Sequence, residues 1–125
     1  MPAGLWGLTA LRTLNLASWW RNDLDGGLNR GRLTSIPAAL GRLTALQTLG
    51  LAGNELTSMP AELGKLAALT ALHLGDNQLT SLPAEFGGLT ALESLNLYGN
   101  PNLGELPDSV ESLRKENGGI CEIYT

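Results

Sequence analysis

A chain of 125 residues, 43% of them hydrophobic, has the size of one domain and is too apolar to be a disordered tail. Its net charge of −4 argues against a nucleic-acid partner, and its single cysteine excludes an intramolecular disulfide. No apolar run is long enough to span a membrane, no basic segment opens the chain as a signal peptide requires, and the lone thiol favours a reducing, intracellular, cytoplasmic setting.

The chain starts in mid-pattern. Pro2-Ala3-Gly4-Leu5-Trp6-Gly7-Leu8 lines up with Pro83-Ala84-Glu85-Phe86-Gly87-Gly88-Leu89. Either a longer array has been cut here, or Trp6 and its neighbours close the first layer. Leu11-x-x-Leu14-x-Leu16 then alternates with period two, which predicts a short strand with its leucines on one side. Arg12, Thr13 and Asn15 fall between those leucines, and Ala17 and Ser18 follow.

Next comes a stretch that breaks the pattern. A 17-residue step leads from Leu16 to Leu33, whereas the matching step from Leu51 to Leu56 is five, so a dozen places have been added. Two accounts fit. In the first, an irregular insertion around residues 17–32 loops out and leaves the stack in register. In the second, residues 25–29 form a degenerate extra strand. Counting back 23 from Leu51 reaches Leu28, which favours that strand, but counting back from Leu49 and Asn54 reaches Gly26 and Gly31. The insertion is preferred, because a loop lengthens at small entropic cost. It holds Trp19, Trp20 and Arg21, with Trp19 where other units carry Asn. The tryptophans either shield the open N-terminal leucines or act as aromatic anchors beside Arg12, Arg21, Arg30 and Arg32. Asp23-Leu24-Asp25-Gly26 looks like the start of a calcium loop. Gly27 and Thr34 stand where ligands are then needed, so a turn with Asx bonding is expected.

From Leu33 onward the pattern is regular. Leu46-x-x-Leu49-x-Leu51-x-x-Asn54-x-Leu56 recurs from Leu69 after a 23-residue step, and again from Leu92 to Asn100 with one extra residue before Leu103. Between these blocks lie "LTSIPAALGRLTAL", "LTSMPAELGKLAAL" and "LTSLPAEFGGLTAL". The Asn amide suits a turn whose backbone groups would otherwise be unpaired, and the proline suits a return arm that makes no strand hydrogen bond. No unit can bury its leucines alone, so neighbours must stack.

Two successive repeats, 46–68 and 69–91, differ in an uneven way. In the first ten places the leucines and Asn are identical and all six others change; in the last thirteen only four change. Exposed-looking pairs such as Thr57/Thr80, Ser58/Ser81 and Glu62/Glu85 are unchanged. Diversification of one face by duplication explains this, and so does consensus design with a chosen face. The candidate contact set comprises Arg12, Asn15, Gln47, Thr48, Thr70, His73, Asp76, Glu93, Asn96 and Tyr98, with Tyr98 as the best single anchor.

At the tail, residues 108–116 read as a helical turn or two with Asp108 as N-cap, and Asn117-Gly118-Gly119 as its end. A last strand follows, with Cys121 and Ile123 in inward leucine places and Glu122 facing the other way. His73 is the only histidine, and neither a metal set, a cofactor-binding motif nor a catalytic constellation is recognisable, so neither an enzyme nor a bound cofactor is expected.

These motifs closely resemble the leucine-rich-repeat family across nearly the whole chain. The 23-residue phrase is similar to the intracellular class found in Ras-binding scaffold proteins and ROCO-type GTPases. The resemblance implies an α/β fold: a leucine-rich-repeat solenoid, a horseshoe arc with a parallel concave sheet and short helical or irregular convex segments. One domain of about five repeats is expected over 1–125, with the insertion around 17–32 and a C-terminal cap around 108–125. It further implies a protein partner bound on the concave face, within a larger immune-type receptor or a GTPase scaffold. The alternative is a structural protein that self-assembles through its open leucine layers.

Overall fold

The computed structural model describes residues 10–17 and 32–125. Among these residues five short strands form one parallel sheet in chain order: β1 (Thr13–Asn15), β2 (Thr48–Gly50), β3 (Ala71–His73), β4 (Ser94–Asn96) and β5 (Glu122–Tyr124). On the return side run 3-10 turns at Ala38–Arg42, Ala61–Lys65 and Ala84–Gly88, then α1 (Asp108–Glu111) and a last 3-10 turn at Lys115–Asn117. This is the architecture of a leucine-rich-repeat solenoid.

The register carries the repeat. Leu14, Leu49, Leu72, Leu95 and Ile123 lie side by side across the sheet. The same 23-residue step leads from Thr48 to Ala71 and from Ala71 to Ser94. From Thr13 to Thr48 the chain advances by one such step plus the added dozen. Because β1 bonds directly to β2, no extra strand stands between them.

Asn54 bonds residues on both sides of this longer step. Its Nδ2 donates to the Leu16 carbonyl at 3.1 Å and its Oδ1 accepts from the Leu33 amide at 2.9 Å. Asn77 treats Leu51 and Leu56 in the same way, at 3.0 and 3.1 Å. Asn100 does so with Leu74 and Leu79. Leu16 and Leu33 thus hold the places of Leu51 and Leu56, despite the longer stretch of chain between them. Residues 1–9 and 18–31, with Trp6, Trp19, Trp20 and Arg21, lie outside the described residues.

Inside, the leucines form one continuous core. Leu40, Leu43, Leu46, Leu49 and Leu51, and one repeat step later Leu63, Leu66, Leu69, Leu72 and Leu74, are all 0% exposed. Burial at about 1.5–3 kcal/mol per leucine offsets the ordering of so many turns, and only a stacked neighbour provides it.

The constant return phrase has its own causes. Pro37, Pro60 and Pro83 hold an extended backbone before each 3-10 turn, and Leu43, Leu66 and Leu89 close the turns onto Leu40, Leu63 and Phe86 at 3.1 Å. Gly41 passes so close to the next turn that a Cβ would lie 2.5 Å from the Glu62 carbonyl oxygen. A Cβ on Gly64 would meet the Glu85 carbonyl oxygen in the same way. Thr57, Ser58, Thr80, Ser81 and Glu85 are exposed as expected, whereas Glu62 is half-buried.

The tail differs from expectation in two places. Asp108 is the first residue of α1 rather than its N-cap; Pro107 holds that place and makes no side-chain cap. Ser109 instead ties α1 to the preceding turn, its Oγ donating to the Ala84 carbonyl at 2.6 Å. Ile123 pairs with Leu95 as an inward residue, whereas Cys121, although buried, does not stand at a leucine rung. The longer step from Ser94 to Glu122 puts Ile120 at the place equivalent to Leu92, and Ile120 is exposed.

Candidate recognition surface

Strand alternation sends two rows of side chains to the open side of the sheet. One row runs Thr13, Thr48, Ala71, Ser94, Glu122; the other runs Asn15, Gly50, His73, Asn96, Tyr124. Arg12, Gln47, Thr70 and Glu93 stand one residue earlier, linked by the Gln47, Thr70 and Glu93 amides donating to the carbonyls of Arg12, Gln47 and Thr70 at 2.7–2.8 Å. That line goes from a cation at one end to a carboxylate at the other. Asp76 and Tyr98 lie beyond the strands, in the turns.

Several of these side chains have local duties. Asn15 Oδ1 accepts from the Ala17 amide at 3.0 Å, and Asn96 Oδ1 accepts from the Tyr98 amide at 2.9 Å. Both are Asx turns that steer the chain out of its strand, which fixes each amide by its oxygen. The Thr70 hydroxyl donates to the Gln47 carbonyl at 3.0 Å. Asp76 has φ +54°, at the place where Gly53 and Gly99 have +73° and +82°. The turn before each ladder Asn requires this left-handed residue, and Asp is among the few side chains that tolerate it. Gly99 also makes room for it, since a Cβ there would meet Asp76 Oδ1.

The face is not flat. A Cβ on Gly50 would lie 2.9 Å from Asn15 Oδ1, and this missing side chain, with Ala17 and Ala52, floors a depression of about 290 Å³ between Asn15 and His73. At the other end Tyr98 and Tyr124 stand up, 70% and 49% exposed. A larger hollow of about 490 Å³ lies past Tyr98, against the last layer, bordered by Leu103, Glu105, Glu111 and Arg114. Among the described residues no three His, Cys, Asp or Glu side chains converge to hold a metal, and His73 and Asp76 have no third ligand.

Among the described residues the groups with shifted titration lie at the C-terminal end. The Tyr124 hydroxyl donates to Glu122 Oε2 at 2.6 Å, and this carboxylate raises the phenol above its usual pKa. A two-point hydrogen bond to Glu111, at 2.8 and 3.4 Å, raises Arg114. Burial pushes the Cys121 thiol up, against a smaller opposing pull from Arg114, and the side chain, fully buried, packs as a small hydrophobe. Tyr124 is the open-face aromatic that the contact set omitted. Its signal was present: once Ile123 is taken as inward, Tyr124 alternates outward like Glu122.

A family model described as leucine rich repeat matches residues 27–79 and 44–101, which together span 75 of the 125 residues. A second leucine-rich-repeat model matches residues 91–113. The chain belongs to the leucine-rich-repeat family. Among solved structures it is similar to a leucine-rich-repeat protein of Leptospira interrogans, at 32% identity and a TM-score of 0.76 over the whole of this chain. The chain spans 28% of that protein's length. No curated protein matches it. Leucine-rich-repeat domains generally mediate protein–protein interaction, and no helix among the described residues is long and apolar enough to cross a membrane.

Proposed function

We propose that this chain is a protein-recognition module that reads a partner through the open face of its sheet, with His73, Asn96 and Tyr98 at the centre of the contact. One observation carries the reading. Between successive repeats all six open-face and turn positions change while nine of thirteen return-arm positions stay the same. The stack explains why leucines, Asn and Gly recur; it does not explain why neighbouring strands show Gly50, His73 and Asn96 at one place. A role in recognition explains that variety.

The finer reading is a 23-residue-class repeat domain of an intracellular receptor or GTPase scaffold. It forms one domain over 1–125, with the insertion around 17–32 and a cap around 108–125. The regular 23-residue step supports the repeat class. The test is capture of partners from a matched cell extract by wild type and by the H73A/N96A/Y98A variant. Loss of specific capture in a folded variant supports the proposal, and an unchanged set of captured proteins overturns it.

A further inference from the structure

Three large apolar side chains are exposed among the described residues, Tyr98, Ile120 and Tyr124, and all three fall in the last two repeats. Tyr98 and Tyr124 share one end of the open face. Tyr124 pairs with Asn96 across β4 and β5, Tyr98 follows Asn96 by two residues, and the Leu97 amide donates to the Tyr124 carbonyl at 2.7 Å. Scattered exposed apolar residues need no explanation, but two aromatic rings on one face at one end do. The stack does not call for them. Where β4 is followed by Tyr98, earlier strands are followed by Ala17, Ala52 and Gly75, and the row that ends in Tyr124 holds Asn15, Gly50 and His73.

Charge identifies the occupant. Residues 90–125 carry six acidic and two basic side chains, a net −4. Arg114 is held by Glu111, and Lys115 lies 3.8 Å from Glu122 Oε1 at an exposed site where such a contact is weak. Glu93, in line with Arg12 at the opposite edge, is exposed and makes no ion pair among the described residues. The Tyr124–Glu122 hydrogen bond fixes one ring beside a carboxylate and enriches its electron density. Resting on the reading of the open face as a recognition surface, we propose that Tyr98 and Tyr124, with Glu122 bonded to Tyr124, seat the cationic side chain of a basic segment in a partner protein, arginine in preference to lysine. A guanidinium stacks on tyrosine faces while its N–H groups reach carboxylates, a combination that concentrates affinity at interface centres.

A short Gly-Ser-Arg repeat peptide, its Lys and Glu counterparts, and the full chain test this by NMR titration at physiological ionic strength. Binding of the Arg peptide with shifts centred on Tyr98 and Tyr124, weaker binding of the Lys peptide and none of the Glu peptide are expected. Y98A/Y124A should weaken the Arg peptide by roughly tenfold, Y98F should retain it, and Thr57→Ala, at an exposed place on the return side, should leave it unchanged. Equal binding of the Glu peptide, no binding of the Arg peptide, or equal binding to wild type and Y98A/Y124A overturns the proposal. The last result, combined with loss of partner capture in H73A alone, removes the cation seat while sparing the open face as a recognition surface. A seat that binds the peptide, combined with capture indifferent to H73A/N96A/Y98A, separates the two readings the other way.

Discussion

Leu49, Leu72 and Leu95 lie on the inner side of β2, β3 and β4 at no more than 1% exposure, while Thr48 and Gly50, Ala71 and His73, Ser94 and Asn96 leave the same strands on the other side. The inner residues are the same in every one of these repeats and the outer ones are different in each. The reason is mechanical. An inner leucine is the packing partner of the leucine in the next rung, so a change in one rung is felt in two. An outer side chain has no such partner, and its identity is left to whatever meets the face. The Asn rungs belong with the leucines: Asn54, Asn77 and Asn100 are polar, yet buried and fully bonded.

The sharpest way to break this division is through the Asn ladder. Asn77→Ala removes the bond from the Leu56 amide and those to the Leu51, Leu74 and Gly75 carbonyls. Stranding several buried backbone groups costs about 1–3 kcal/mol each where they find no water, so a loss of about 4 kcal/mol is expected in urea denaturation. Next comes Gly64→Ala on the return side. Its Cβ would meet the Glu85 backbone, and forcing the turns apart should cost about 1–3 kcal/mol by the same measurement.

A smaller effect, of opposite sign, is expected at Asp76. Asp76→Gly relieves a left-handed residue at a place where Gly53 and Gly99 are already used, and should raise stability by up to about 1 kcal/mol. If stability falls instead, the carboxylate has a structural part beyond that turn. The smallest effect is at Tyr124. Its phenol is raised by Glu122, so the stabilising contact is complete below the usual tyrosine pKa and is lost as pH rises through the raised value. Ultraviolet titration should show Tyr124 ionising at higher pH than it does in Glu122→Gln, with little change in overall stability because the pair is exposed.

Much of this division can be read from residue spacing. Leucines at regular 23-residue intervals set the strands, and the long step from Leu16 to Leu33 shows the added dozen, on whose two sides Asn54 bonds. Other features needed three dimensions. Asp76 looks like one more variable contact residue until its φ shows that it also holds a turn. Asn15 and Asn96 look free until their oxygens are found bonded two residues on. Gly41 and Gly64 recur as letters, but only the closeness of neighbouring turns explains them. The last strand escaped correct numbering because the step from Ser94 to Glu122 is longer than the repeat, which moved Cys121 off the leucine rung and left Tyr124 out of the contact set.

One paired measurement bears most directly on the separation of stack and face. Urea denaturation and partner capture are recorded on the same preparation of H73A/N96A/Y98A. The account predicts a stability within about 1–2 kcal/mol of wild type, the difference coming mainly from the lost Asn96–Tyr98 bond, together with loss of specific capture. Capture that survives intact in this folded variant would contradict it.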